Sequence, residues 1–152
     1  MHLYASTMNS DTSENHRFAL AVAAAWGSLE RQLDCSLSAI RGVSFAEYRL
    51  LRALSEAPNG QASRIDAARS IGLTASGVTR ALRPLEKIGL VSTVKNKRDA
   101  RLAMARLTPA GQALIDQASD IVDDTVASFL KRAPKLSTKL NSVSSLLDSL
   151  RT

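Results

Sequence analysis

Apolar residues recur at helical spacing along most of this chain. Phe18, Val22, Ala25, Trp26, Leu29, Leu33 and Leu37 predict a long first helix over about residues 14–40. Gly42 ends it, and Ser44 caps a second helix, with Glu47 three residues on completing a capping box. Phe45, Tyr48, Leu51 and Leu54 make that helix amphipathic as far as Ala57, and Pro58-Asn59-Gly60 is a turn. Ser63 opens a short helix to Ser70. Gly72 breaks it, and Thr74 caps another that runs to Ile88 and ends at Gly89. The period then changes. Val91 to Val94 and Leu102 to Leu107 alternate as strands, and the polar turn Lys95 to Ala100 joins them into a hairpin. Thr108 caps the next helix with Pro109 at its first position. Leu114, Ile115, Ala118, Ile121, Val122, Val126 and Phe129 carry it to about Arg132. Pro134 interrupts, and Leu136, Leu140, Val143, Leu147 and Leu150 then repeat at near-heptad spacing.

This order predicts a mainly α fold with a small β-hairpin. Ala68, Gly72 and Val78 have the spacing of two helices joined by a tight turn. A small Ala68 lets the second helix approach, Gly72 supplies the left-handed turn, and Val78 packs back with Ile71, Leu73, Leu82 and Leu85. Followed by a hairpin, this is a winged helix-turn-helix lobe, assigned to residues 44–108. Residues 1–15 read as a flexible tail. Residues 16–43 and 109–152 read as a helical dimerisation region built from both chain ends. Their apolar faces exceed what a domain of this size buries, which predicts a homodimer.

Charge sharpens the reading. Between Thr74 and Leu107 stand eight Lys or Arg and two acids, a sum of 8 − 2 = +6, which equals the net charge of the whole chain. A positive field confined to one segment is the footprint of a phosphate-binding surface, so the predicted partner is double-stranded DNA. On the second helix of the pair, Thr74, Ala75, Ser76, Thr79, Arg80 and Arg83 are the candidate DNA-binding residues. Short polar side chains near the helix N-terminus let the backbone approach phosphate, and Arg80 or Arg83 can reach a guanine edge. On the wing, Lys95, Lys97, Arg98 and Arg101 crowd the tip against a single acid, Asp99. Such a tip lies along phosphates or inserts an Arg into the minor groove. Asp99 is assigned to orient Arg101 through a paired contact.

Other chemistry is excluded or unsupported. One cysteine, Cys35, allows no intrachain disulfide and suits a reducing cytoplasm. No run of about eighteen apolar residues exists, so no membrane partner is expected. The two histidines, His2 and His16, sit in or beside the tail; no metal-ligand spacing or Gly-rich phosphate loop appears, and neither cofactor nor catalysis is expected. Asp120, Asp123 and Asp124 read as a solvated helix face.

Leu73-Thr74-Ala75-Ser76-Gly77-Val78-Thr79-Arg80, then Leu85-Glu86-Lys87-Ile88-Gly89-Leu90-Val91, then Asp99-Ala100-Arg101 followed after five residues by Leu107-Thr108-Pro109-Ala110-Gly111, resemble the MarR family of bacterial transcription regulators. That family typically shows Asp-x-Arg and then Leu-Thr-x-x-Gly at this spacing. The chain departs from it at Ala100, where a basic residue is frequent, and at Pro84, which shortens the expected recognition helix. The resemblance implies a homodimeric winged-helix regulator, a ligand-responsive repressor on a pseudo-palindromic site. It also implies control by a small aromatic effector in a cleft between the dimer helices and the DNA-binding lobe. Trp26, Phe45 and Tyr48 are candidates to line that cleft, although their spacing predicts plain core packing. Some members sense peroxide through a cysteine near the start of the first helix. Cys35 comes late in that helix and reads as a packed or half-buried thiol. The alternative function is a winged-helix adaptor that binds protein and not DNA.

Overall fold

The computed structural model describes residues 13–95 and 103–151. A long helix α1 (Glu14–Arg41) leads to α2 (Phe45–Glu56), a 3-10 turn (Pro58–Gly60), and a short strand β1 (Gln61–Ser63). Helices α3 (Arg64–Ile71) and α4 (Ala75–Lys87) follow, then strands β2 (Val91–Val94) and β3 (Met104–Leu107). The chain closes with α5 (Pro109–Leu130), a single turn α6 (Pro134–Ser137), α7 (Leu140–Asp148), and a last 3-10 turn.

The stop and start residues act as their chemistry dictates. Ser44 accepts from the Glu47 amide at 3.1 Å, while Glu47 accepts from the Ser44 amide at 2.7 Å, so the capping box is complete. Ser63, Thr74 and Thr108 each cap the helix that follows. Gly72 takes the left-handed conformation with φ of 68°, and both its amide and that of Leu73 return to the Ala68 carbonyl.

One core runs through the lobe and into the long helices. Leu37 of α1, Leu50, Leu51 and Leu54 of α2, Val78, Leu82 and Leu85 of α4, and Ile115 of α5 are fully buried. Each such side chain contributes on the order of 1.5–3 kcal/mol of burial free energy. Helix α2 is the hub, touching α1, α3, α4, α5 and the sheet.

The fold differs from the sequence reading in five places. The sheet has three strands in the order β1-β3-β2, not two, because Gln61–Ser63 pairs antiparallel with β3, Ala62 opposite Ala105. Three residues show no usable alternation; the left-handed pair Asn59 and Gly60 turns the chain so that β3 captures them. Leu73 is exposed, because it sits just beyond the turn and not on either packed helix face. Pro84 does not end α4, which continues through it to Lys87; the ring lies on the exposed side, where only one ladder bond is lost. The C-terminal stretch is not one helix but α6 and α7, separated at Thr138 and Lys139. Cys35 is exposed, since it falls on the α1 face opposite buried Leu33 and Leu37.

Candidate nucleic-acid interface and adjoining groove

Helix α4 has two clearly different sides. Val78, Leu82 and Leu85 point into the core. At about 100° per residue, Ser76, Arg80, Arg83 and Lys87 fall within about 60° of one another on the opposite side. All four are exposed. Ala75 is exposed at the helix start. Thr74 is committed to the backbone: its Oγ1 accepts from the Gly77 amide at 3.1 Å and meets the Ser76 hydroxyl at 3.1 Å. Thr79 is half-buried, and its hydroxyl donates to the Ala75 carbonyl at 2.9 Å. Thr79 therefore presents a methyl group and a lone pair, not a free donor.

The wing joins this surface through the sheet. Lys95 follows β2 and is exposed. Lys97, Arg98, Asp99 and Arg101 lie outside the described residues. The Thr93 hydroxyl donates to Glu86, which ties β2 to the end of α4. Arg106 on β3 donates to the Gln61 side chain at 3.0 and 3.2 Å, so it braces the sheet.

The Leu-Thr-Pro-Ala-Gly stretch is a structural joint and not a contact surface. The Thr108 hydroxyl donates to the Gly89 carbonyl at 2.7 Å, and the same oxygen accepts from the Gly111 amide at 3.1 Å. The Thr108 amide bonds the Leu90 carbonyl at 3.1 Å. Gly111 lies so close that a β-carbon there would stand 2.3 Å from the Leu90 carbonyl oxygen. Gly89, with φ of 80°, makes the turn that brings Leu90 into place. The motif therefore locks the start of α5 to the turn between α4 and β2.

A groove of about 1460 Å³ opens on the other side of α2. The three predicted aromatics meet there. Trp26 and Phe45 have ring centroids 6.0 Å apart, and Phe45 stacks on Tyr48 at 6.0 Å. Tyr48 is mostly buried, Phe45 partly, and Trp26 is exposed, so they form a graded wall and not a closed core. The Ser119 hydroxyl already donates to the Ile115 carbonyl, so the Tyr48 hydroxyl, 3.1 Å away, is the donor to Ser119.

Sequence reasoning missed the basic side of this groove. Arg49, Arg52 and Arg69 line it. Arg52 pairs with Glu56 at 2.7 Å and Arg69 with Asp66 at 3.5 Å. Arg49 donates to the Ile71 carbonyl at the end of α3. The signal was present in the sequence: Phe45, Tyr48, Arg49 and Arg52 stand at i, i+3, i+4 and i+7, one helix face. Asp34 was missed as well. Its carboxylate accepts from the Phe45 amide at 2.7 Å and fastens α1 to the start of α2.

Among the described residues, no group of three or more His, Cys, Asp or Glu is placed to hold a metal ion. No helix among them is long and apolar enough to cross a membrane.

Comparison with known proteins bears on the whole arrangement. Residues 41–102 match the model of the MarR family. No curated protein matches the chain. Among solved structures, the chain is similar to a MarR family transcriptional regulator from Rhodococcus sp. RHA1 (TM-score 0.80, 20% identity, 92% of this chain and 96% of that one). It is also similar to Sco3205 from Streptomyces coelicolor, a MarR family regulator solved in complex with DNA (0.74, 23%, 90% and 87%). A third similar structure is CouR from Rhodococcus jostii RHA1 bound to p-coumaroyl-CoA (0.75, 21%, 92% and 95%). Over the winged lobe the chain is thus similar in sequence to the MarR family, and along nine-tenths of its length it shares the winged-helix fold of solved MarR family transcription regulators.

Proposed function

We propose that the protein is a sequence-specific double-stranded DNA-binding regulator that acts as a homodimer and represses until a small aromatic effector enters the groove beside α2. The observation that carries this reading is the exposed arc Ser76, Arg80, Arg83 and Lys87, set opposite the buried seam of α4. A helix anchored by one face and cationic on the other fits a DNA major groove. Lys95 is exposed beside this arc, and Lys97, Arg98 and Arg101 follow it in sequence as further cations for flanking phosphates. The similar structures with DNA and with an acyl-CoA bound support the same two partners for this chain. Footprinting on the DNA upstream of its own gene tests the reading: a protected, two-fold symmetric site is expected, and uniform cleavage would refute it.

Dimerisation rests on apolar surface at both chain ends. Phe18, Leu20 and Val22 of α1, and Leu140, Leu146 and Leu147 of α7, are all at least 40% exposed in the single chain. Large apolar side chains left exposed at both chain ends suit an association surface. Deleting residues 136–152 is expected to give monomers or aggregates in light scattering. A truncated chain that remains a soluble dimer would sink this interface. A dimer predicts half-sites about one helical turn apart.

Roles within the lobe separate by what each residue reaches. Thr79→Ala and Arg83→Ala are expected to change sequence preference as well as affinity. Lys97→Ala and Arg98→Ala should weaken operator and random DNA alike, because phosphate carries no direct sequence information. Asp99→Ala tests orientation against charge. Removing an acid from the wing favours tighter binding, whereas a freed Arg101 loses more side-chain entropy on binding. We expect weaker operator binding with random-DNA binding unchanged or stronger. Tighter operator binding by Asp99→Ala in a competition titration would make Asp99 a turn residue only.

A further inference from the structure

We propose that Thr79 selects a thymine by its 5-methyl group, so that each half of the recognised site carries a thymine beneath the middle of α4. This rests on the DNA-binding reading above and adds the base that α4 selects and the atom that selects it. Three observations converge. First, the Thr79 hydroxyl is committed: its one proton goes to the Ala75 carbonyl at 2.9 Å, one turn back along α4. That bond fixes the torsion of a β-branched side chain, so the methyl group is held in place before DNA arrives and loses little rotamer freedom on binding. Second, α4 opens with Ala75, Ser76 and Gly77, and no side chain there is longer than that of serine. A helix start so trimmed can sit deep in the major groove, close enough for a short side chain to touch a base edge. Third, Thr79 is half-buried at the border between the apolar seam of α4 and its exposed cationic arc. Side chains on a helix lean toward its N-terminus, so Thr79 lies over Ala75, which is too short to cover it.

The thymine 5-methyl is the apolar group among the edges that base pairs show in the major groove. A methyl group already fixed on the protein excludes water against it. Burial of one such group is worth about fourfold in affinity, or about 0.8 kcal/mol at about 1.4 kcal/mol per tenfold. The hydroxyl competes poorly as a reader. With its proton committed it only accepts, so thymine O4 and guanine O6 and N7, acceptors all, gain no hydrogen bond from it. Arg83 stands four residues on in the same row and is exposed, about 6 Å farther along the helix axis. The half-site therefore pairs a thymine at Thr79 with whatever base edge or phosphate Arg83 takes beyond it.

The test uses the full chain and duplexes of its footprinted upstream site in which each thymine in turn is replaced by deoxyuridine. That change keeps the base pair and deletes only the 5-methyl group. The parent should lose about fourfold in affinity at one thymine per half-site, at positions related by the two-fold axis. Thr79→Ser keeps the hydroxyl and removes the methyl; it should bind the thymine and deoxyuridine duplexes alike, with the affinity the parent shows for deoxyuridine. Thr79→Val keeps a methyl and removes the hydroxyl; it should retain the parent's discrimination. Random duplex should bind all three proteins equally. A parent that prefers its site over random DNA but is indifferent to deoxyuridine throughout overturns the methyl contact and leaves the DNA-binding reading standing. Discrimination that persists in Thr79→Ser assigns the contact to another residue and overturns it too. Loss in Thr79→Val with retention in Thr79→Ser makes the hydroxyl the reader. A parent that binds neither site nor random duplex removes the DNA-binding reading and this inference together.

Discussion

Replacing Gly111 by alanine is expected to destabilise the fold by about 3 kcal/mol, although the substitution lies inside a helix where alanine is intrinsically favoured by about 1 kcal/mol over glycine. The sign is decided by what the new methyl group meets. It would stand 2.3 Å from the Leu90 carbonyl oxygen and 2.6 Å from Leu107 Cδ1. Leu107 has rotamer freedom, but the Leu90 carbonyl is held by the Thr108 amide and cannot swing away. Relief therefore requires α5 to move off the turn between α4 and β2, which uncouples the lobe from the long helices. The melting temperature should fall by about 10 °C at matched protomer concentration. An unchanged melting curve would mean that the joint around Thr108 and Gly111 is not rigid.

Removing both Arg80 and Arg83 should abolish operator recognition while leaving stability near that of the parent. Both side chains are exposed and neither contributes to the buried seam of α4. Each good bidentate contact to a base edge discriminates by about 1–3 kcal/mol, so the double variant should lose on the order of a hundredfold or more in operator affinity. Random DNA should lose less, since only the charge term is shared. Competition titration separates the two. Equal losses on operator and random duplex would assign both arginines to phosphate, and parent-like operator affinity would move the reading surface away from α4.

Much of this fold is legible in the sequence because local rules and tertiary packing agree. Ser44 with Glu47, Gly72, and Thr108 with Pro109 each specify a boundary by backbone chemistry alone, and the structure places those boundaries where the residues demand. The seam Val78, Leu82, Leu85 is readable because one face of α4 is wholly apolar. Strand β1 was not readable: three residues acquire extended pairing only because β3 lies beside them, which is a tertiary fact. The break between α6 and α7 was equally hidden, since Leu136 and Leu140 continue the apolar spacing across Thr138 and Lys139. The groove was half legible. Trp26, Phe45 and Tyr48 were named, but core-like spacing cannot tell a wall from a core; only the graded exposure from Trp26 to Tyr48 does. Arg49 shares their face, yet its bond to Ile71 joins residues 22 apart, beyond any spacing rule.

The proposed function stands on binding of duplex DNA through a localised cationic surface. The most direct measurement is a titration of the full chain against its upstream duplex across a range of salt concentrations. Two chains should bind per site, with the logarithm of the affinity falling linearly with the logarithm of salt at a slope of about −0.9 per phosphate neutralised. Lys97→Ala and Arg98→Ala should each reduce that slope by about one. A chain with no salt-dependent retention on duplex DNA, and the same behaviour with or without Arg80 and Arg83, would rule out DNA binding by this surface and leave the adaptor that binds protein.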